Sequence, residues 1–322
     1  MSAIHFDRVS KQFAKTEGYA VREASFEVEA GTFVVLLGPS GCGKTTTLKM
    51  VNRLYEPTSG AIYLDGTDIR QLKVTTLRRK IGYVIQQVGL FPHMTVARNI
   101  AVVPELLGWL RTRIEARIDE LLTLVDLPPA TYRDRYPAQL SGGQQQRVGV
   151  ARALAGDPAV ILMDEPFGAI DAITRTGLQD ELLSLQRQLK KTILFVTHDV
   201  DEALRLADKI VVMQAGGIVQ YDTPFNILTH PANDFVYELI GAGDMVRQLS
   251  LLRVEAAMER TPAAGSHSNG QPAIEQNDNL RQALSLLLQS GAARLTVLDN
   301  ATPVGTLSLE NIRASTENQS KT

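Results

Sequence analysis

The sequence predicts an α/β protein with a mainly parallel sheet core, an N-terminal antiparallel β region, a helical subdomain at about 89–158 and a small α+β C-terminal segment. Three observations predict it. The run "TFVVLL" (32–37) is apolar and β-branched, as in a strand buried on both faces, and it enters a glycine-rich loop followed by the helical stretch "KTTTLKMVNRL". Strand-like "VILMDEP", "TILFVTHD" and "KIVVM" alternate with helical "GLQDELLSLQRQLKK" and "VDEALRLAD", the pattern of a parallel sheet with helices on its faces. Ahead of both, "AIHFDRVS" and "SFEVEAG" alternate, and "AIYLDGTDI" holds a turn at Asp65-Gly66.

The elements between these follow from periodicity. In "RIEARIDELLTLVDL", Ile114, Ile118, Leu121, Leu122 and Val125 share one helical face. Residues 260–279 are rich in Pro, Gly, Ser and Asn and read as a linker or long loop. A helix–strand–turn–strand comes after it. The expected organisation is therefore one domain at 1–240, a linker region at 241–279, a compact segment at 280–315 and a polar tail at 316–322.

Bulk properties exclude several classes. At 322 residues the chain is long enough for two domains. Its 33 basic and 35 acidic residues nearly cancel, so nothing advertises nucleic acid as a partner. One cysteine, Cys42, rules out an internal disulfide and a Cys-based zinc cluster. The longest apolar runs are strand-sized and the N-terminus lacks a signal-like stretch, so a cytosolic protein is expected.

The chemistry sits in short motifs. "GPSGCGKTT" (Gly38, Pro39, Ser40, Gly41, Cys42, Gly43, Lys44, Thr45, Thr46) satisfies G-x-x-x-x-G-K-[ST] between a strand and a helix, which defines a phosphate-binding loop. Its amides and the helix N-terminus would cradle phosphates of a nucleotide such as ATP. Lys44 would reach the β- and γ-phosphates, and Thr45 would offer a hydroxyl to Mg²⁺. The apolar strand of "VILMDEP" ends in Asp164, placed to hold Mg²⁺, and Glu165, placed to orient and deprotonate an attacking water. His198 closes another strand and is assigned a γ-phosphate and water contact. If Cys42 is accessible, Lys44 and the helix N-terminus should lower its pKa, and MgATP should protect it from thiol reagents.

A second glycine turn, "LSGGQQQR", has no lysine. Ser141, Gly142, Gly143 and Gln144 stand at a helix start, as capping residues or as an anion site serving a phosphate held by another subunit. With "ILMDEP", "FGAID" and "VTHD" in this order, residues 4–240 resemble the ATP-binding cassette (ABC) nucleotide-binding subunits of membrane transporters, which are P-loop NTPases. That resemblance implies a head-to-tail dimer in which Ser141, Gly142 and Gly143 complete the partner copy's ATP site. It assigns Gln86 of "IGYVIQQ" to a loop that touches Mg²⁺ and senses the membrane subunit, and Asp171 to the loop that crosses the dimer interface. Phe13 of "VSKQF" matches the adenine-stacking aromatic and is favoured over its competitor Tyr19.

The resemblance further implies separate transmembrane permease subunits at the cytoplasmic face of a bacterial plasma membrane, and indirectly an extracytoplasmic substrate-binding protein. Leu90, Phe91 and Met94, before a candidate helix N-cap at Thr95, would form the docking loop. "LRRKIGYVIQQVGLFPHMTVARNIAVVPELLGW" and "HPANDFVYELIG" are similar to the branch importing glycine betaine, choline, carnitine or proline-type osmoprotectants. Import of another small solute such as an amino acid, and a soluble non-transport ABC ATPase, stand as alternatives. The segment 280–315 resembles a single CBS motif, with "VEAAMERT" as a candidate opening segment.

Overall fold

The computed structural model describes residues 2–14, 18–86, 89–168, 170–242, 244–260, 272–300 and 302–317. The chain divides into two compact units, Met1–Tyr221 and Asp222–Thr322. Residues 261–271 of the expected linker region and the end of the polar tail, 318–322, lie outside the described residues, while the rest of 241–279 holds a helix at Met245–Leu251 and short strands at Glu259–Arg260 and Ala273–Glu275.

In the first unit the alternating N-terminal runs form an antiparallel sheet. β1 (Ser2–Gln12) pairs with β2 (Tyr19–Glu29) on one side and β4 (Ser59–Leu64) on the other. Phe6 lies opposite Phe26 in the register, and their rings stack at 4.2 Å. A turn at Asp65-Gly66 leads into β5 (Thr67–Asp68), which closes the order β2-β1-β4-β5.

The second sheet has the order β10-β9-β3-β8-β7-β6. β3 (Phe33–Leu37), β6 (Ile81–Val84), β7 (Val160–Asp164), β8 (Thr192–Thr197) and β9 (Lys209–Gln214) are mutually parallel, and β10 (Gly217–Asp222) borders β9. Every residue of β3, β7 and β8 is buried, which is why these strands read as continuous apolar runs rather than alternations. One core joins the two sheets through Phe6, Val9, Leu36, Leu48, Ile62 and Val196.

Helices form where the period changes. α1 (Lys44–Val51) leaves the glycine loop, and α2 (Val74–Arg79) precedes β6. The helical region comprises α3 (Val96–Leu106), α4 (Arg111–Leu124), α5 (Pro129–Tyr132) and α6 (Gly142–Leu154). The five α4-face residues from Ile114 to Val125 are all buried, as their spacing requires. α7 (Ala172–Leu189) and α8 (Val200–Leu206) alternate with β8 and β9. The sequence pattern does not mark α2 or β6: "IGYV" is four residues long and contains a glycine, too little for a strand signal.

The second unit begins earlier than the sequence suggests. α9 (Pro224–Thr229) and α10 (Asp234–Ile240), assigned by the sequence to the first domain, group instead with α11 (Met245–Leu251) and the C-terminal strands. β11 (Glu259–Arg260), β12 (Ala273–Glu275), β13 (Arg294–Asp299) and β14 (Thr302–Ser308) form a sheet of order β11-β14-β13-β12. α12 (Leu280–Ser290) starts at a reciprocal Asn279–Gln282 capping box and ends at Gly291 with φ 65°. With α13 (Leu309–Glu317) it covers a core that includes Val254, Leu280, Val297 and Leu307.

Gly82 sets the distance between β6 and α6. A Cβ at this position would stand 2.5 Å from the Ala153 carbonyl oxygen, a backbone atom that cannot swing aside. Gly82→Ala should therefore destabilise the first unit by about 1–3 kcal/mol through overpacking. Thermal and urea unfolding of the variant should show the loss; unchanged midpoints would contradict the packing argument.

Candidate functional site

Three strand ends and one short edge strand bring the predicted residues together. β3 runs into the glycine loop, whose crest of Pro39, Ser40 and Gly41 is exposed while Gly38 is buried. A side chain at Gly38 would meet the Met213 carbonyl oxygen at 2.3 Å and Cys42 Sγ at 2.8 Å. Gly43 has φ 110°, and a Cβ there would lie 2.4 Å from the Ala20 carbonyl oxygen. The loop is thus pressed onto its own scaffold. Lys44 is buried and donates from Nζ to the carbonyls of Gly38 (2.6 Å) and Pro39 (2.9 Å), so its ammonium lies in the loop. Thr45 and Thr46 are half-buried on the first turn of α1.

Cys42 departs from expectation. Its thiol is buried in the core cluster with Val21, Met213 and Leu48, and only its backbone belongs to the loop surface. The condition for rapid modification, accessibility, is not met, and slow labelling with or without MgATP replaces the expected protection.

At the end of β7, Asp164 is buried and accepts from Thr45 Oγ1 at 2.8 Å. Glu165 is the next residue and has φ 44°, a left-handed conformation uncommon outside glycine. Its amide donates to the Val196 carbonyl of β8 at 3.0 Å, which holds the turn in place. The carboxylate is then shared: Gln86 Nε2 donates to Oε2 at 3.2 Å, and His198 Nδ1 lies 3.3 Å from Oε1. Gln86 follows β6 and His198 follows β8, so three strand ends converge on one carboxylate. His198 is exposed and Glu165 half-buried, which leaves the group open on one side.

Other predicted residues occupy separate places. Ser141 caps α6, accepting at Oγ from Gln144 N, while Gln144 Oε1 accepts from Ser141 N. The described hydrogen bonds of this turn stay within the helical region and do not reach the glycine loop. Asp171 caps α7 by accepting from Thr174 N at 3.0 Å. Phe13 is half-buried, with its ring edge-on to Tyr55 at 5.1 Å and Lys11 Nζ 5.1 Å from its centroid; Tyr19 is more exposed. Thr95 is the N-cap of α3, as its sequence position suggests.

Three supporting residues carry no mark in the sequence. Buried Asn99 accepts from Phe91 N and donates to the carbonyls of Phe91, Met94 and Thr95, so one side chain fixes the 91–95 loop. Arg175 bonds the Ile170 carbonyl beside Asp171 and pairs with Asp199 beside His198. Buried Glu202 accepts from Thr197 at 2.6 Å and from Gln179. Many of these bonds span only four to eight residues, yet no motif or apolar period signals them.

The fold and these motifs define a P-loop nucleotide hydrolase, and likeness to known proteins narrows the class. The family model described as "ABC transporter" matches residues 21–168. The chain is 50% identical to the glycine betaine uptake system ATP-binding protein YehX of Escherichia coli (strain K12) across 96% of this chain and 98% of that protein. It is 51% identical to the glycine betaine/carnitine/choline transport ATP-binding protein OpuCA of Bacillus subtilis (strain 168), across 92% of this chain and 75% of that one. Among solved structures, a dimeric ATP-binding cassette in a post-hydrolysis state with ADP and Pi is 33% identical, with a TM-score of 0.61, over 69% of this chain and 98% of its own. The chain belongs to the ATP-binding proteins of ABC transporters, and it is an ATP-binding ATPase.

The electrostatics of Asp164 carry a consequence for stability. Burial is the largest influence and raises its pKa above the ordinary carboxylate range; the Thr45 hydroxyl and Lys49 oppose this, Glu165 adds to it, and Lys44 opposes it. With the folded-state pKa above the unfolded one, folding favours the protonated form. That contribution is complete below the ordinary aspartate value and is lost as pH rises through the folded-state pKa. Asp164→Asn should therefore raise the Tm of protein freed of nucleotide and divalent metal at neutral pH. The gain should shrink as pH falls toward about 4, the ordinary aspartate value. Thermal melts across that range test the sign, and a gain independent of pH would rule out the burial cost as its source.

Proposed function

We propose that the chain hydrolyses ATP to power import of an osmoprotectant of the glycine betaine, choline, carnitine or proline type. It works as a head-to-tail pair of copies beneath separate permease subunits, fed by an extracytoplasmic substrate-binding protein. Membrane association would come through those permeases; among the described residues no helix is long and apolar enough to cross a bilayer. The cargo reading is supported by the relatives, whose names specify glycine betaine, carnitine and choline.

The observation that carries the paired-copy reading is the contrast between Gly142 and Gly143. A Cβ at Gly143 would stand 2.9 Å from Cγ2 of exposed Thr174 on α7, a side chain that would have to shift to admit it. A Cβ at Gly142 would meet nothing within 4 Å. The exposed Ser141–Gly142 edge has a capped helix start and no packing demand for glycine inside its own chain, as expected of a surface that meets the partner copy's ATP.

In this mechanism the glycine-loop amides bind the phosphates and Lys44 neutralises charge on the β- and γ-oxygens. Phe13 offers its ring to adenine. The oxygen donors of Thr45, Asp164 and Gln86 suit a hard cation, and Mg²⁺ held by them would neutralise charge on the β- and γ-phosphates. Glu165 orients the attacking water and receives its proton, with its carboxylate steadied by Gln86 and His198. Asp171 reaches across the interface, and Leu90, Phe91 and Met94 form the permease-facing loop. The tail, 280–315, is read as a CBS-like segment that modulates transport.

Glu165→Gln should slow hydrolysis and accumulate an MgATP-bound dimer in size-exclusion chromatography; monomers throughout would remove the head-to-tail pair, the sandwich of two ATP molecules between two copies. Adding Gly142→Ala should abolish that dimer while changing the melting free energy by no more than about 1 kcal/mol, because alanine suits a helix and nothing obstructs it. For the cargo, cells lacking the chain should regain uptake of labelled glycine betaine, choline, carnitine or proline when it is restored, but not with Glu165→Gln. Restoration of none of these would discard the osmoprotectant assignment and leave the ATPase intact.

A further inference from the structure

The second glycine turn, Ser141–Gln144, is tied to a residue outside every motif. Gln144 uses both ends of its amide: Oε1 accepts from Ser141 N at 3.0 Å, and Nε2 donates to the Tyr132 hydroxyl at 3.1 Å. Ser141 Oγ in turn accepts from Gln144 N. Removing the tyrosine oxygen would leave the Gln144 side chain held at one end only, and with it the turn that presents Ser141.

Tyr132 is itself well anchored. It ends α5, and the Arg135 guanidinium lies 4.7 Å from its ring centroid, a cation–π contact. Arg133 binds Asp119 at 2.7 Å and also pairs with Glu115, fastening the 132–135 segment to α4. The carbonyls of Arg133 and Arg135 accept from Ala97 N (3.0 Å) and Val96 N (2.8 Å), the otherwise unsatisfied first amides of α3. Those amides directly follow Thr95, the end of the loop that Asn99 pins. One continuous set of bonds therefore runs from the 91–95 loop, through the 132–135 segment, to the Ser141–Gln144 turn.

We propose that Tyr132 is a positioning residue for the trans half of the ATP site: through Gln144 it fixes how Ser141 faces the partner copy's nucleotide, and it joins that turn to the 91–95 loop. This rests on the head-to-tail reading above. Tyr132 contacts Gln144 and Arg135, not the glycine loop or the Asp164–Glu165 cluster. Its effect should thus appear in ATP-driven association and not in the binding of ATP to a copy's own glycine loop.

Tyr132→Phe, made in the full chain carrying Glu165→Gln, isolates the hydroxyl. Fluorescent ATP analogue binding to the dilute monomer should be unchanged, since it reads Lys44 and its loop. The protein concentration needed for half-maximal MgATP-dependent dimerisation should rise about tenfold, the scale of one neutral hydrogen bond lost in each of two sites. In a Gln144→Leu background, Tyr132→Phe should have no further effect, because the connection is already cut. Unchanged dimerisation, or additive effects of the two substitutions, would overturn the inference and leave the sandwich standing. A weaker monomer affinity would assign Tyr132 a general structural role instead. If the Glu165→Gln parent itself never dimerises, the sandwich fails and this inference falls with it. Should Gln144→Leu not fold, the single variant's dimerisation decides.

Discussion

The hydrogen bond from Thr45 to Asp164 spans 119 residues of sequence and closes at 2.8 Å. It fixes the glycine loop, at the end of β3, against the carboxylate end of β7. These strands are not neighbours; β8 lies between them. The bond therefore depends on the register of two parallel pairings, β3 with β8 and β8 with β7. A slip of one residue would turn each side chain to the other face. Because β3, β7 and β8 are buried along their whole length, charged groups have nowhere to stand except at the strand ends. The site lies where burial of the sheet stops.

That position lets the fold hold conformations it would not otherwise choose. Glu165 sits at φ 44° immediately after a strand, and its own chain geometry does not stabilise it. The support comes from Val196, whose carbonyl takes the Glu165 amide, and from Gln86 and His198 on the carboxylate. Burying Asp164 is a cost of the same kind, with Thr45, Lys49 and Lys44 on the favourable side. Sheet packing remote from the chemistry supplies the rigidity that keeps both residues in place.

Some of this was legible in the sequence. Continuous apolar runs identify β3, β7 and β8 because a doubly buried strand has no polar side to show, and the residues just beyond each run are the candidate site residues. Helical spacing of apolar residues identifies α4, whose single buried face leaves a period. Gln86 is assigned only through the family resemblance, and its strand β6 is unmarked, since four residues at a sheet edge carry almost no pattern. Asn99, Tyr132 and Arg175 were invisible: their roles consist of bonds to backbone or side chains that only the folded chain brings near. Cys42 sits in the right loop, yet which way its thiol points depends on the packing beneath Gly38. The extent of the second unit was also hidden, because α9 and α10 follow Tyr221 with no change of composition.

Within each motif, neighbouring residues divide between two kinds of constraint. Gly43 is glycine because the Ala20 carbonyl leaves no room, and at Gly143 a Cβ would displace the Thr174 side chain. Thr197 is threonine where its hydroxyl meets buried Glu202. The residues beside them, Gly142 and exposed His198, satisfy no comparable packing need inside the chain. A folded chain accounts for the first group by its own packing. The second group marks the surfaces where packing gives out, and these are the positions proposed to face nucleotide. The capping box at Ser141 belongs to both kinds at once. Its hydrogen bonds to Gln144 serve the helix, while the edge they hold open is the one proposed to meet a nucleotide bound by another copy.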